Sequence, residues 1–324
     1  MNLKDRIYVA GHTGLVGSAL IRELQRLGYQ NIITRMHREC DLTEQMQVRQ
    51  FFEEEKPQHV IMAAAKVGGI LANSTMPAEF IYQNIAIHNN VIHEAYQHGV
   101  DRLLYLGSSC IYPRECPQPM KESYLLSGPL EFTNRPYAIA KISGIEMCWA
   151  YNRQYQTKFL SAMPTNLYGP GDNYDLKTSH VIPALLRKFH EAKESNSDTV
   201  TVWGTGQCRR EFMYSDDMAQ ACIHLLSLPE NQYQALINNK QAPLVNIGCG
   251  QDVSIKELAQ IIKKTSDYQG EIIWDTSKPD GTPRKLLDTS RINHLGWQPA
   301  ITLEAGLKKS YECFLQNIDK FAVV

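Results

Sequence analysis

Short apolar runs and helical patterns take turns along the first half of this chain, and that alternation narrows the fold more than any other feature. Residues 7–10 read as a strand, 16–27 as a helix and 32–34 as a second strand. A helical pattern over 45–55 precedes the strand 59–63, and the long helix 80–98 precedes the buried strand 102–106. A helix over 137–155 then leads to the strand 159–164. Strands separated by helices of this length cannot pair as hairpins. They need crossover connections, which are right-handed and put helices on both faces of a parallel sheet. The expected fold is therefore α/β, a Rossmann-type doubly wound parallel sheet.

The second half is less regular. Residues 180–194 read as a helix, 199–203 as a strand, 216–227 as a helix and 244–248 as a strand. Ser254 suits the N-cap of a helix over 255–265, and a strand over 272–275 follows. Pro279, Gly281 and Pro283 make 277–284 a loop, and 303–316 reads as a final helix. A chain of 324 residues is long for one core. We expect this region to supply a smaller C-terminal substrate-binding lobe over the carboxyl ends of the sheet.

The turn between the first strand and first helix is Gly11-His12-Thr13-Gly14-Leu15-Val16-Gly17. Glycines there allow a tight turn and let a pyrophosphate approach the backbone at the positive end of the helix. The end of the second strand, about 20 residues on, decides which dinucleotide fits, since an acid there suits a ribose hydroxyl and a base suits a 2'-phosphate. Arg35, His37 and Arg38 stand at that point, with the acids Glu39 and Asp41 slightly later. The expected cofactor is NADPH/NADP+. Residues 1–170 and 205–240 are then the NADP-binding Rossmann domain, and 171–204 and 241–324 the substrate-binding lobe.

Tyr137 and Lys141 are four residues apart on one helical face, after the strand that ends in Gly107-Ser108-Ser109-Cys110. This order matches the short-chain dehydrogenase/reductase pattern. In that pattern Ser108 and Tyr137 grip a carbonyl oxygen, Lys141 lowers the phenol pKa from about 10, and Tyr137 protonates the oxygen as hydride reaches carbon.

Longer motifs carry a closer resemblance: AAAKVGGI from Ala63, GSSCIYP from Gly107, PYAIAK from Pro136, MPTNLYGP from Met163, SHVIPAL from Ser179 and KPDGTPRK from Lys278. Together they resemble the GDP-L-fucose synthase family over essentially the whole chain. The resemblance implies a homodimeric, NADPH-dependent enzyme that epimerises GDP-4-keto-6-deoxy-D-mannose at C3 and C5 and reduces C4. Ser108, Tyr137 and Lys141 become the reductase group, and Cys110 and His180 the epimerisation acid/base pair. The cofactor lies along Gly11 to Gly17, Arg35, His37, Asp41, Leu42, Ala63, Ala64, Ala65, Leu106, Gly107, Ser109, Pro164, Thr165, Asn166 and Leu167. Lys188, Trp203, Arg210 and Asp280 face the GDP-sugar. The chain departs from the family pattern at Thr13 and His37, where arginines are common, and at Lys188, where an arginine often stands.

The chemistry of a keto sugar agrees with these residues. A C4 ketone acidifies the hydrogens at C3 and C5, and inverting a centre needs proton removal on one face and return on the other. Cysteine and histidine both titrate near enough to neutrality to exchange protons. Two other readings share the residues: a GDP-colitose synthase or related GDP-keto-deoxy-sugar reductase, and a non-catalytic NADP-sensing regulator. The second is disfavoured because Tyr137 and Lys141 are both retained.

Composition excludes other classes. A net charge of -1 gives no general field for nucleic acid or an anionic membrane. No apolar run approaches the roughly 20 residues of a membrane span, and the polar start shows no signal peptide. Eight scattered cysteines without a CxxC or zinc-like spacing read as free thiols in a reducing compartment, so a cytoplasmic protein without a metal centre is expected.

Overall fold

The computed structural model describes residues 1–176, 178–238, 240–278 and 280–318. The first half runs β1 (Arg6–Ala10), α1 (Leu15–Arg26), β2 (Asn31–Ile33), α2 (Gln45–Glu55), β3 (His59–Met62), α3 (Ile70–Thr75), α4 (Pro77–Gln97), β4 (Arg102–Leu106), α5 (Arg135–Tyr155), β5 (Phe159–Pro164) and β6 (Asn166–Tyr168). It continues with α6 (Val181–Glu194), β7 (Thr199–Trp203), β8 (Arg209–Arg210), β9 (Phe212–Tyr214), α7 (Ser215–Ser227), α8 (Glu230–Leu236) and β10 (Leu244–Ile247). The last elements are β11 (Val253–Ser254), α9 (Ile255–Ser266), β12 (Glu271–Asp275), β13 (Arg284–Lys285), α10 (Ser290–His294) and α11 (Leu303–Gln316).

Six parallel strands form the central sheet in the order β10-β5-β4-β3-β1-β2. Successive side chains leave a strand on opposite faces, and here both faces are covered. Ile7 and Val9 of β1, Leu104 of β4 and Leu160 of β5 join the core under α1 and α7. Tyr8, Leu103, Tyr105, Phe159 and Met163 join the core under α2, α4 and α5. The order reverses between β1 and β3, which opens a crevice at their carboxyl ends, where ligands of such sheets bind.

A third core holds the lobe together, with Leu185, Leu186 and Phe189 of α6, Leu258 and Ile262 of α9, and Phe314 of α11. The T-V-T-V-W pattern of β7 puts Val200 and Val202 into this core and leaves Trp203 outward. Ser254 caps α9 as expected, in a capping box with Glu257.

One expectation is corrected. Residues 241–324 were all assigned to the lobe, yet β10 pairs in register with β5 and is the edge strand of the central sheet. Ile292 and Trp297 also pack into the core under α1 and α7. A four-residue apolar strand carries no mark of which sheet it joins. The expected loop 277–284 ends in β13, which pairs with β8, while Pro279 and residues 319–324 lie outside the described residues. Among the described residues, no helix is long and apolar enough to cross a membrane.

Candidate active site

The glycine turn is shaped by packing at two positions and by open space at a third. Gly11 has φ +79, and a Cβ there would lie 2.7 Å from the Ala64 backbone. A Cβ on Gly17 would lie 2.0 Å from the Gly11 carbonyl oxygen. Gly14 differs: it is the N-cap of α1, offers no side-chain cap, and its added Cβ would meet nothing nearer than Gly11 O at 3.6 Å. The first turn of α1 carries no acid, so its free N–H groups and dipole favour an anion. His12 Nδ1 is buried there without a protein partner. These residues fit a dinucleotide pyrophosphate.

The basic residues after β2 are not equivalent. Arg35 is half-buried, ion-paired with Glu55, hydrogen-bonded to Thr34 O at 2.8 Å and set 5.5 Å over the Phe51 ring. His37 is exposed, with Asp41 3.7 Å away, and Arg38 is exposed. Asp41 accepts from the Thr43 N–H and hydroxyl at 2.9 and 2.8 Å, and the Leu42 carbonyl accepts from Asn90 of α4. Arg35 thus braces the strand end, while His37 and Arg38 are the side chains open to a ligand.

The chemistry-bearing residues meet where the carboxyl end of β4 lies beside the first turns of α5. Gly107 packs closely there: a Cβ would come within 1.8 Å of Met163 Cε, and the methionine would have to move. Ser108 is extended and caps the single helical turn Ser109–Ile111, which holds Cys110 in a buried position. Tyr137 lies in the first turn of α5, and Lys141 lies one turn on. The Lys141 ammonium is 3% exposed, donates to Leu106 O at 2.8 Å and sits 5.1 and 5.7 Å from the rings of Tyr105 and Tyr137. Burial pushes its pKa down to about 8, with the Cys110 thiol opposing, so it is mostly charged at neutral pH and loses that charge above about pH 8.

The phenol does not behave as the sequence implies. Burial raises the Tyr137 pKa above its ordinary value, the neighbouring Cys110 adds to the rise, and only Ser108 opposes it. The reason is geometric: the ammonium lies over the ring and is engaged with the Leu106 carbonyl, so desolvation outweighs its attraction. Tyr137 is therefore held in its protonated form. Burial also raises the Cys110 thiol, against the pull of Ser108, Lys285 and Lys141.

His180 stands apart from this cluster, exposed at the N-cap of α6. The backbone just before it lies against the AAAKVGGI segment, since a Cβ on Gly69 would lie 3.5 Å from the Thr178 carbonyl. The protein around the imidazole lowers its pKa by desolvation and favours the neutral base. Ser179 Oγ beside it and Asn134 Oδ1 at the start of α5 are buried without a protein partner. Both suit a polar ligand.

The lobe offers cations and an aromatic face. Trp203 is 64% exposed, with the ammonium groups of Lys188 and Lys278 at 5.5 and 5.7 Å from its ring. Lys188 also donates to Thr201 O at 3.3 Å. Arg210 points toward Gly281, and Asp280 accepts from the Thr205 N–H and hydroxyl at 2.9 and 2.6 Å. Glu211 is fully buried and accepts from Gly250 N and Leu287 N, so Arg210 and Glu211 do not form a surface pair. Thr165 Oγ1 and the Asn166 amide both donate to the Glu211 carbonyl, anchoring the segment Pro164 to Leu167. Lys278 and Lys285 carried no assigned role in the sequence, although both lie in the KPDGTPRK motif.

Residues 7–242 match the NAD dependent epimerase/dehydratase family. The chain is 55% identical to the putative GDP-L-fucose synthase 2 of Arabidopsis thaliana over 97% of its own length and 92% of that protein. It is 53% identical to the GDP-L-fucose synthase of Escherichia coli K12, covering 98% and 99% of the two chains. The GDP-L-colitose synthase of Yersinia pseudotuberculosis is 36% identical, over 96% and 98%. Among solved structures, a GDP-D-glycero-L-gluco-heptose synthase from Campylobacter jejuni, determined in the presence of NADPH, superposes with a TM-score of 0.91 at 37% identity, over 97% and 99%. With the turn of Gly11 to Gly17, the Tyr137/Lys141 pair and these relatives all in agreement, the chain belongs to the NAD dependent epimerase/dehydratase family and, within it, to the GDP-L-fucose synthases.

Proposed function

We propose that this enzyme converts GDP-4-keto-6-deoxy-D-mannose to GDP-L-fucose, inverting C3 and C5 and reducing C4 with NADPH. The observation that carries the reading is the convergence of the half-buried Ser108 and Tyr137 with the buried Cys110 and Lys141 in one cluster at the carboxyl end of β4. NADPH, when bound, supplies the hydride. The turn of Gly11 to Gly17 would hold its pyrophosphate, and His37 and Arg38 its 2'-phosphate. The central sheet with its helices is the cofactor domain, and the lobe around α6, α9 and α11 receives the GDP-sugar. Trp203 offers a face for the guanine, while Lys188, Lys278 and Arg210 offset the diphosphate charge.

The thiol and imidazole are suited to opposite tasks. His180, held neutral, takes a proton from the carbon beside the ketone, and Cys110, held as a thiol, returns one from the other face. Ser108 and Tyr137 hold the oxygen on which charge collects, and Tyr137 then donates its proton to that oxygen in the reduction. The faces of α4 and α5 bearing Tyr82 and Tyr155, which are 71% and 43% exposed, suit a pairing of two copies.

The cofactor reading predicts a higher kcat/KM with NADPH than with NADH, and Arg38→Ala should reduce that ratio about tenfold, the value of one charged hydrogen bond. A wild-type preference for NADH would contradict it. The substrate reading is tested by offering the keto sugar and its 3-deoxy analogue together with limiting NADPH. A site built around a C3 hydroxyl rejects the analogue because its polar groups are left unpaired, and Ser109, Asn166 and the orphaned Asn134 Oδ1 are candidates for that contact. Predominant conversion of the 3-deoxy sugar would instead assign the enzyme to colitose synthesis.

A further inference from the structure

Asp252 stands just before β11, outside every motif read in the sequence, and its side chain is only 5% exposed. One carboxylate oxygen accepts from Arg209 Nε of β8 at 2.9 Å, and the other accepts from Arg284 Nε of β13. Arg209 also donates to the Asp252 carbonyl at 2.9 Å. Arg209 and Arg284 are direct partners in the parallel β8–β13 register. Without the acid between them, two guanidinium groups would face each other, and like charges directly opposite on neighbouring strands repel. Burial would raise the Asp252 pKa, but the bonds from Arg284 and Arg209 outweigh it and hold the carboxyl below its ordinary range. The clamp is therefore charged at neutral pH.

Side chains alternate between the faces of a strand, so Arg209 and Arg284 lie on one face of this small sheet and Arg210 and Lys285 on the other. Contacts along 280–285 carry the position of the clamp to Arg210. Asp280 is held at one end by the Thr205 N–H and hydroxyl, at 2.9 and 2.6 Å. Cys208 Sγ donates to the Gly281 carbonyl at 3.4 Å, and Arg209 N donates to the Pro283 carbonyl at 2.8 Å. Gly281 then lies against Arg210, where a Cβ would be 2.9 Å from Nη2, and Arg210 Nη1 donates to the Arg209 carbonyl at 2.8 Å. The segment and Arg210 thus share one placement, latched by Asp280 at one end and by Asp252 at the other. We infer that Asp252 is a positioning residue for the GDP-sugar: by bridging Arg209 and Arg284 it holds β13 on β8 and so fixes Arg210 and the segment 280–285 against the diphosphate. The inference rests on the reading that Arg210 and Asp280 face the GDP-sugar.

The test titrates GDP into the NADP+-loaded protein by calorimetry and measures kcat and KM for GDP-4-keto-6-deoxymannose. In Asp252→Asn the amide meets one of the two guanidinium groups with N–H instead of oxygen, and GDP affinity should fall about tenfold, with KM rising in step. The kcat at saturating sugar and the affinity for NADPH should stay within about twofold of the wild type, a split that a general loss of folding would not give. Arg284→Gln should lose part of the same affinity, and the double variant should lose less than the two losses combined, because both changes break one interaction. Wild-type GDP affinity in Asp252→Asn, strictly additive losses, or an equal fall in kcat and NADPH affinity would each overturn the inference. Should Asp252→Asn misfold, unchanged GDP affinity in Arg284→Gln overturns it alone. Wild-type GDP affinity in Arg210→Ala would instead overturn the reading that this face of the lobe holds the GDP-sugar.

Discussion

Tyr137→Phe should abolish NADPH consumption while leaving NADPH binding intact. The substitution removes one oxygen from a half-buried ring that packs edge-on to Phe80 at 6.2 Å, so the packing survives. It also removes the proton donor that burial keeps protonated. General acid catalysis is worth roughly 10²- to 10⁴-fold, and the loss should fall in that range or beyond, since Tyr137 also holds the oxygen. Stopped-flow NADPH oxidation measures the loss, and cofactor fluorescence titration checks the binding. Turnover within a few-fold of the wild type would remove Tyr137 from the reduction.

Cys110→Ala should separate the two halves of the chemistry. Inversion at C3 and C5, read by NMR from the recovered keto sugar, should fall by roughly 10²-fold or more in this variant, the lower range for a lost acid or base. The same inversion should persist in Tyr137→Phe, where Ser108 still holds the oxygen. The buried thiol is small, so the alanine leaves little cavity and the loss is chemical. Undiminished inversion in Cys110→Ala would mean that another group returns the proton.

What was legible in the sequence follows the strength of each local signal. The strands and helices of the cofactor half were readable because apolar runs and helical periods alternate cleanly, and α2, β4 and β5 have the expected bounds. The glycine turn was readable because Gly11 and Gly17 answer to contacts of 2.7 and 2.0 Å that no other residue could meet. The paired strands β6 and β9 were missed because three residues show no period. The strand β10 was read as a strand but given to the lobe, since its partner lies some 80 residues earlier, a separation no local pattern reveals.

The site divides in the same way. Ser108, Cys110, Tyr137 and Lys141 came from ordered motifs on one strand and one helix, and the structure brings them together. The direction of the Tyr137 shift did not come through, because the spacing of two residues says nothing about how deeply both are buried. The place of Lys285 was invisible, because only the non-local pairing of β13 with β8 sets it opposite Arg210. The alternation in β7 leaves Trp203 on the open face, with two ammonium groups near its ring.

The central claim is that one chain carries both the epimerisations and the reduction. Its most direct test is to incubate the pure protein with GDP-4-keto-6-deoxy-D-mannose and NADPH and to determine the product's stereochemistry by NMR. The account predicts GDP-L-fucose, formed with one NADPH oxidised per sugar and with solvent hydrogen at C3 and C5. A product reduced at C4 but retaining the substrate's configuration at C3 and C5 would contradict it.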